Sequence, residues 1–303
     1  MSAPDQLMVV IDPVARRTDG ESVRIAKDVL GAGARTRISL PESAEEFARA
    51  LSRRGRRRLV VIGDDRALLR AVGLLHRERE LSGGRPVGLV PVGDRVVLAR
   101  SLGVPTETVA AARAVLEGAS RRLDLLVDDS DGVVLGGLRV PALSPSGPGA
   151  ASGSPPSVWT ACRSLVRTLV RPTPPERLVT YRLRVEADGV LLSDLDEAVR
   201  GVSLRSRGGG TVEVEVAGTS GASARARTVT VSGPDFRYRA DGAVGGPVRR
   251  RTWTVREGGW RLVVPVGSAG PVEPLEPLDP VGSVDPGGPG GPVDPDVPVV
   301  PSP

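Results

Sequence analysis

Scarcity narrows the chemistry of this 303-residue chain before any motif is read. Cys162 is the only cysteine, so there is no disulfide framework and no thiolate metal site. His76 is the only histidine, and it sits in the charged run "LLHRERE", which reads as a solvated helix end. A second histidine for an HExxH zinc site is missing, and no serine or cysteine has a motif-like setting beside a histidine base. Lys27 is the only lysine, which removes the P-loop along with its GxxxxGK[ST] run. Aromatic residues are 2% of the chain, so any core must be built from Val, Leu and Ala. No apolar run reaches membrane-spanning length, and the N-terminus lacks a basic-then-apolar signal. The expectation is a cytoplasmic protein, peripheral at the inner membrane face if it meets a membrane at all.

Apolar residues still make up 40% of the sequence, and the length exceeds one ordinary domain, so two domains are expected. Residues 7–12 ("LMVVID") read as a buried strand followed by Pro13 and a polar loop. A helix over 21–30 and a strand at 36–40 ("TRISL") come next. In "PESAEEFARALSRRG", Pro41, two acids near the start and Gly55 at the end mark a helix. A strand at 59–63, a helix to about Glu80, a strand at 86–92 and a helix at 105–118 continue the alternation. That order argues for a parallel sheet covered on both faces.

Residues 144–157 ("SPSGPGAASGSPPS") have the composition of a flexible linker, and a short helix over about 158–170 is expected after them. From Arg177 the apolar period becomes two, with Gly, Asp-Gly and Gly-Gly turns, which predicts an antiparallel β-sandwich. "RLRVEADGVL" and "DFRYRADGAV" echo each other, each a strand running into an Asp-Gly turn. The division is an α/β domain over 1–143, a linker and short helix over 144–176, the sandwich over 177–267, and a Pro/Gly-rich tail over 268–303 that is expected to be disordered.

Charge is spread unevenly. After Arg261 there is no basic residue, but there are six acids: Glu273, Glu276, Asp279, Asp285, Asp294 and Asp296. The whole chain is at +5, so the remainder carries +11. Such a body suits an anionic partner, a nucleotide or an anionic membrane surface, and no specific nucleic acid is expected. Arginine clusters at 53–58 ("RRGRRR") and 249–251 are where such a surface would be met, solvated loops being the simpler reading.

The stretch "LVVIGDDRALLRAVGLL" (59–75) is a strand, a tight turn and a helix start, where many α/β proteins seat a phosphate. Its turn nonetheless carries Asp64 and Asp65, whose charges repel phosphate. Either would serve as a helix N-cap. Some thirty residues on, "PVGDRVVLARSLG" (91–103) forms a second glycine-containing turn.

These two segments resemble the motifs of the diacylglycerol kinase catalytic family, which shares its nucleotide domain with NAD kinases. The family's Gly-Gly-Asp-Gly-Thr, with a helix ending in Asn-Gly-Leu, aligns with Ile62-Gly63-Asp64-Asp65-Arg66 and with Val72-Gly73-Leu74. Its Pro-Leu-Gly-Thr-Gly-Asn-Asp-Phe-Ala-Arg-Ser-Leu-Gly matches at Pro91, Gly93, Ala99, Arg100, Ser101, Leu102 and Gly103. Asp12-Pro13 stands where the family has Asn-Pro, and Asp241-Gly242 where it has Asp-Gly-Glu. The resemblance implies an NAD kinase-like α/β domain followed by a β-sandwich, and an ATP- and Mg²⁺-dependent lipid kinase if active. It places nucleotide contacts at Asp12, Gly63, Asp64, Arg66, Gly93 and Arg95, with Asp64 as the metal residue.

The departures fall on the chemistry. Ile62, Asp65 and Arg66 replace two glycines and a threonine of the first turn, so backbone cradling is lost. Asp94-Arg95-Val96-Val97 replaces Thr-Gly-Asn-Asp, and the valine pair is expected to extend the core beneath the helix. Ala243 stands at the expected general base and cannot take a proton. The reading is a lipid-kinase fold with weak or lost phosphorylation, kept as a ligand-sensing or partner-binding module. The alternative is an active kinase whose phosphate site is rebuilt from Asp64, Arg66 and Arg95. Arg66 either meets a phosphate bidentately or pairs locally with Asp64 or Asp65.

Overall fold

The computed structural model describes residues 6–81, 84–142, 180–218 and 221–267. The linker at 144–157, the short helix at 158–170, Cys162 and the tail at 268–303 lie outside the described residues. No helix among the described residues is long and apolar enough to cross a membrane.

The chain opens as expected, with strands and helices in alternation: β1 (Gln6–Ile11), α1 (Pro13–Thr18), α2 (Gly20–Gly33), β2 (Arg35–Ser39), α3 (Ala44–Ser52), β3 (Arg58–Gly63), α4 (Asp65–Arg77), β4 (Gly88–Pro91), α5 (Val97–Ser101) and α6 (Thr108–Glu117). The four strands form a parallel sheet in the order β2-β1-β3-β4. Near-continuous burial along β1, β3 and β4 reflects helices on both faces. One face packs Leu7, Val9 and Ile62 against Val23, Leu30 and Ala111 of α2 and α6. The other packs Met8 and Val61 against Phe47, Leu51, Leu68 and Val72 of α3 and α4.

The polar loop expected after Asp12 is instead the short helix α1. Asp12 caps it by accepting from Val14 N at 2.8 Å, and Pro13 takes the first turn, where its missing N–H costs nothing. The third helix starts later than Pro41 suggested. Ser43 accepts from Glu46 N at 3.2 Å while Glu46 accepts from Glu42 N at 2.8 Å, a reciprocal arrangement that fixes the start at Ala44.

The antiparallel part begins at Ala119, inside the stretch counted with the α/β domain from sequence. Strands β5 (Ala119–Asp128), β6 (Val133–Val134) and β7 (Gly137–Val140) join β8 (Tyr181–Arg182), β9 (Arg184–Ala187), β10 (Val190–Ser193), β11 (Ala198–Ser206), β12 (Val212–Gly218), β13 (Ser223–Ala226), β14 (Thr228–Ala240) and β15 (Ala243–Val264). These eleven strands are hydrogen-bonded into one sheet, eight of them in the order β13-β12-β11-β7-β14-β15-β5-β6 and β8, β9 and β10 off that path. Val214 of β12 and Trp253 of β15 are separated by three strands on that path yet share one core, so the sheet folds over on itself in two layers. The echoed motifs are two hairpins with the same turn. Asp188-Gly189 and Asp241-Gly242 both have positive φ at both residues, as a type I′ turn requires.

Paired strands carry the chain between the two parts. Ala119 pairs with Val264 and Leu123 with Trp260, and Val87 bridges Leu262 beside β4. Trp260, Leu262 and Leu125 therefore belong to the same core as α4.

Candidate functional site

Three turns converge at the C-terminal edge of the parallel sheet, after β1, β3 and β4. Because β2 lies on one side of β1 and β3 on the other, the crevice between β1 and β3 is where the strand order reverses, the usual ligand position in such sheets. Gly63 ends β3 there. A Cβ on it would come within 2.9 Å of Asp12 Cβ and 2.8 Å of Ala67 Cβ, so only glycine lets the turns approach this closely. Gly93, with φ +117°, lies beside Asp64, and Val92 N donates to Gly63 O at 3.0 Å. The residues expected at the site, Asp12, Gly63, Asp64, Gly93 and Arg95, are thus brought together by the turns themselves.

Each of three helix N-termini at this edge is closed by an aspartate. Asp12 caps α1. Asp64 Oδ1 accepts from Arg66 N at 3.0 Å and Ala67 N at 3.1 Å, so it is the N-cap of α4. Asp65 does not share that duty. Its carboxylate reaches to the next turn and accepts from Leu98 N and Ala99 N, both at 2.9 Å, capping α5, while its own N–H donates to Arg95 O at 2.8 Å. Burial pushes the Asp65 carboxyl up, against the pull of those N–H groups. The carboxylates supply to each helix start the negative charge that a phosphate would otherwise bring.

Arg66 makes no local pair with Asp64 or Asp65, which are engaged with backbone; it is exposed, as is Arg95. The arginine that does enter the crevice is Arg70, one turn further along α4. Its Nη1 donates to the buried Asp12 Oδ2 at 2.9 Å, and its guanidinium lies over the Phe47 ring at 5.5 Å. Nothing local in the sequence marks this pair, which is 58 residues apart. The valine pair divides: Val96 packs against the core, but Val97 is 63% exposed, because it opens α5 and faces outward there. The expectation that both extend the core is corrected to one. His76 is half-buried, its Nε2 3.9 Å from Asp131.

From the β-domain, the turn between β14 and β15 brings Asp241 to the same region. Its carboxylate accepts from Leu135 N at 2.6 Å, Gly136 N at 2.9 Å and Gly137 N at 3.0 Å. A hairpin-turn residue by its φ of +45°, it is also a clamp on the segment leading into β7. Burial pushes its carboxyl up to about 6, the three N–H groups pull it back, and the charge of Asp65 adds to the rise. Ala243 follows as an exposed residue at the start of β15, paired with Ala240. Among the described residues no three Asp, Glu, His or Cys side chains gather as a metal site.

Residues 6–127 match the model of the diacylglycerol kinase catalytic domain. No curated protein matches the sequence. The fold is similar to that of a candidate diacylglycerol kinase from Bacillus anthracis str. Sterne, at 12% identity and a TM-score of 0.67, covering 87% of this chain and 98% of that one. A second structure, of a diacylglycerol kinase from the same organism, matches at 12% identity and a TM-score of 0.63 over the same shares. The paired glycine-containing turns at the switch point thus lie within the segment, residues 6–127, that is similar to the diacylglycerol kinase catalytic domain, and the antiparallel β-domain is joined behind them.

Proposed function

We propose that this chain is a diacylglycerol kinase-family protein in which ATP-dependent lipid phosphorylation is weak or lost, and that the fold persists as a ligand-sensing or partner-binding module. The observation that carries this reading is the aspartate capping of α1, α4 and α5 at the switch point. Phosphoryl transfer needs the nucleotide's phosphates held and their charge neutralised. Here the N–H groups that would face them are engaged by the chain's own carboxylates, whose charge has the wrong sign.

The fit to ATP and Mg²⁺ fails at the phosphates. Asp64 Oδ2 is left to face a cation, and Mg²⁺ is often held by one or two carboxylates plus substrate phosphate. No backbone cradle accompanies it, and Ala243 leaves no base for a lipid hydroxyl at the place the family uses. A nucleotide and a lipid remain the partners to test, with an anionic membrane surface at the arginine clusters.

One observation favours the second reading, an active lipid kinase with a rebuilt site. Arg66 and Arg95 are exposed on adjacent turns, and neither pairs with a carboxylate among the described residues. Calorimetry with ATP and ADP in Mg²⁺ separates the readings. Binding weaker than about 1 mM is expected, equal to less than about 4 kcal/mol. Micromolar binding that strengthens with phosphate number, together with labelled phosphate transfer to diacylglycerol, would overturn the proposal.

A further inference from the structure

Two features distant in sequence meet at the N-terminal edge of the parallel sheet, the edge opposite the aspartate-capped turns. The first is a rim of arginines. Arg53, Arg56 and Arg57 lie between α3 and β3, and Arg85 precedes β4. Arg85 Nη1 donates to Gly55 O at 2.7 Å, which ties the two loops together. Arg53, Arg56 and Arg85 are exposed, and none pairs with a carboxylate among the described residues. Nearby acids are engaged: Glu80 holds the buried Arg54, and Glu78 accepts from Ser52 Oγ at 3.3 Å. Glu117, exposed at the end of α6, is the acid left over.

The second feature is the point where the chain leaves the fold. β15 makes its last pairing at Val264, opposite Ala119, and a Cβ on Gly118 would strike Val264 O. Arg58, which follows the rim, donates Nη2 to Val115 O in the last turn of α6 at 2.9 Å. Rim and exit therefore share one corner. Beyond Gly267, residues 268–303 hold six acids and no base. Glu273 stands six residues past Gly267, roughly 20 Å of extended chain.

We propose that the acidic segment 268–303 docks on the arginine rim of its own chain and competes there with anionic partners. Opposite charge supplies the attraction. Tethering supplies an effective concentration that a free peptide would lack. The contact weakens as salt screens it.

The test uses the full chain with the six acids neutralised as E273Q, E276Q, D279N, D285N, D294N and D296N. At ~50 mM salt the amide resonances of 53–58 and 84–86 should differ between this variant and the natural sequence, and the difference should collapse at ~1 M salt. Resonances of 63–66 should coincide, which also checks that the variant is folded. Affinity for phosphatidylglycerol vesicles should rise about tenfold on neutralisation. R53Q/R56Q/R85Q in the natural chain should remove the vesicle binding. Rim resonances that do not move on neutralisation overturn the proposal. A gain in vesicle affinity without rim shifts overturns it too, because loss of long-range repulsion then accounts for the gain.

Discussion

Asp241 accepts three backbone N–H groups, an arrangement that ordinarily lowers a carboxyl's pKa, yet burial carries it to about 6. The consequence for stability has a definite sign. The folded chain holds this proton more tightly than the unfolded chain, where the value is 3.8. The stabilisation from proton uptake is complete below about 3.8 and is lost as pH rises to about 6, a change on the order of 3 kcal/mol. A urea-denaturation series across that window should show this fall, and Asp241→Asn should flatten it. An NMR titration of the Asp241 carboxyl should give its midpoint near 6. At the same scale the sequence was partly legible. Asp64 as N-cap follows from a strand, a turn and a helical period, all local. Asp65 capping α5 and Arg70 closing on Asp12 are contacts between turns far apart in the chain, and no local pattern announces them.

Elements were read more completely than contacts, because strand and helix leave a period in the sequence and tertiary partners do not. Every strand of the parallel sheet is legible in the sequence, whereas α1 is not, since six residues are too few to show a period. The two glycines of the first motif show how an element's needs differ along its length. Gly63→Ala should cost about 2 kcal/mol, because the new Cβ meets Asp12 and Ala67 at under 3 Å, neither of which can swing aside. Gly73 lies within α4, where a Cβ would meet only Val133 at 3.4 Å. Gly73→Ala should therefore stabilise the helix by about 0.5–1 kcal/mol. Thermal melts of the two variants should move in opposite directions. Equal shifts would mean that the close approach of β1 and β3 is not what Gly63 serves.

At the scale of the molecule, the boundary drawn from composition and the boundary drawn by packing differ. The linker-like run after Leu143 suggested that everything before it belongs with the parallel sheet. β5, β6 and β7 instead pair into the antiparallel sheet, since the apolar run of β5 resembles a buried parallel strand and only its partner reveals the difference. The two parts also share a core through Trp260, which is fully buried and donates Nε1 to Asp124 O at 3.2 Å. Trp260→Ala should cost about 3–5 kcal/mol. Helix and sheet signals should melt together in the natural chain. Two separate transitions would show that the shared core does not couple the parts.

The same junction sets how the molecule can flex. A single linker would let one part swing and twist freely against the other. Here the crossing is made by β5 and β15 side by side, bonded from Ala119–Val264 to Leu123–Trp260. A ribbon of two strands bends across its flat face far more readily than within its plane, so any opening of the crevice is restricted to one direction, like a door on a strap hinge. Motion along that direction would carry Asp241 and the β6–β7 segment it grips as one piece toward or away from Asp65.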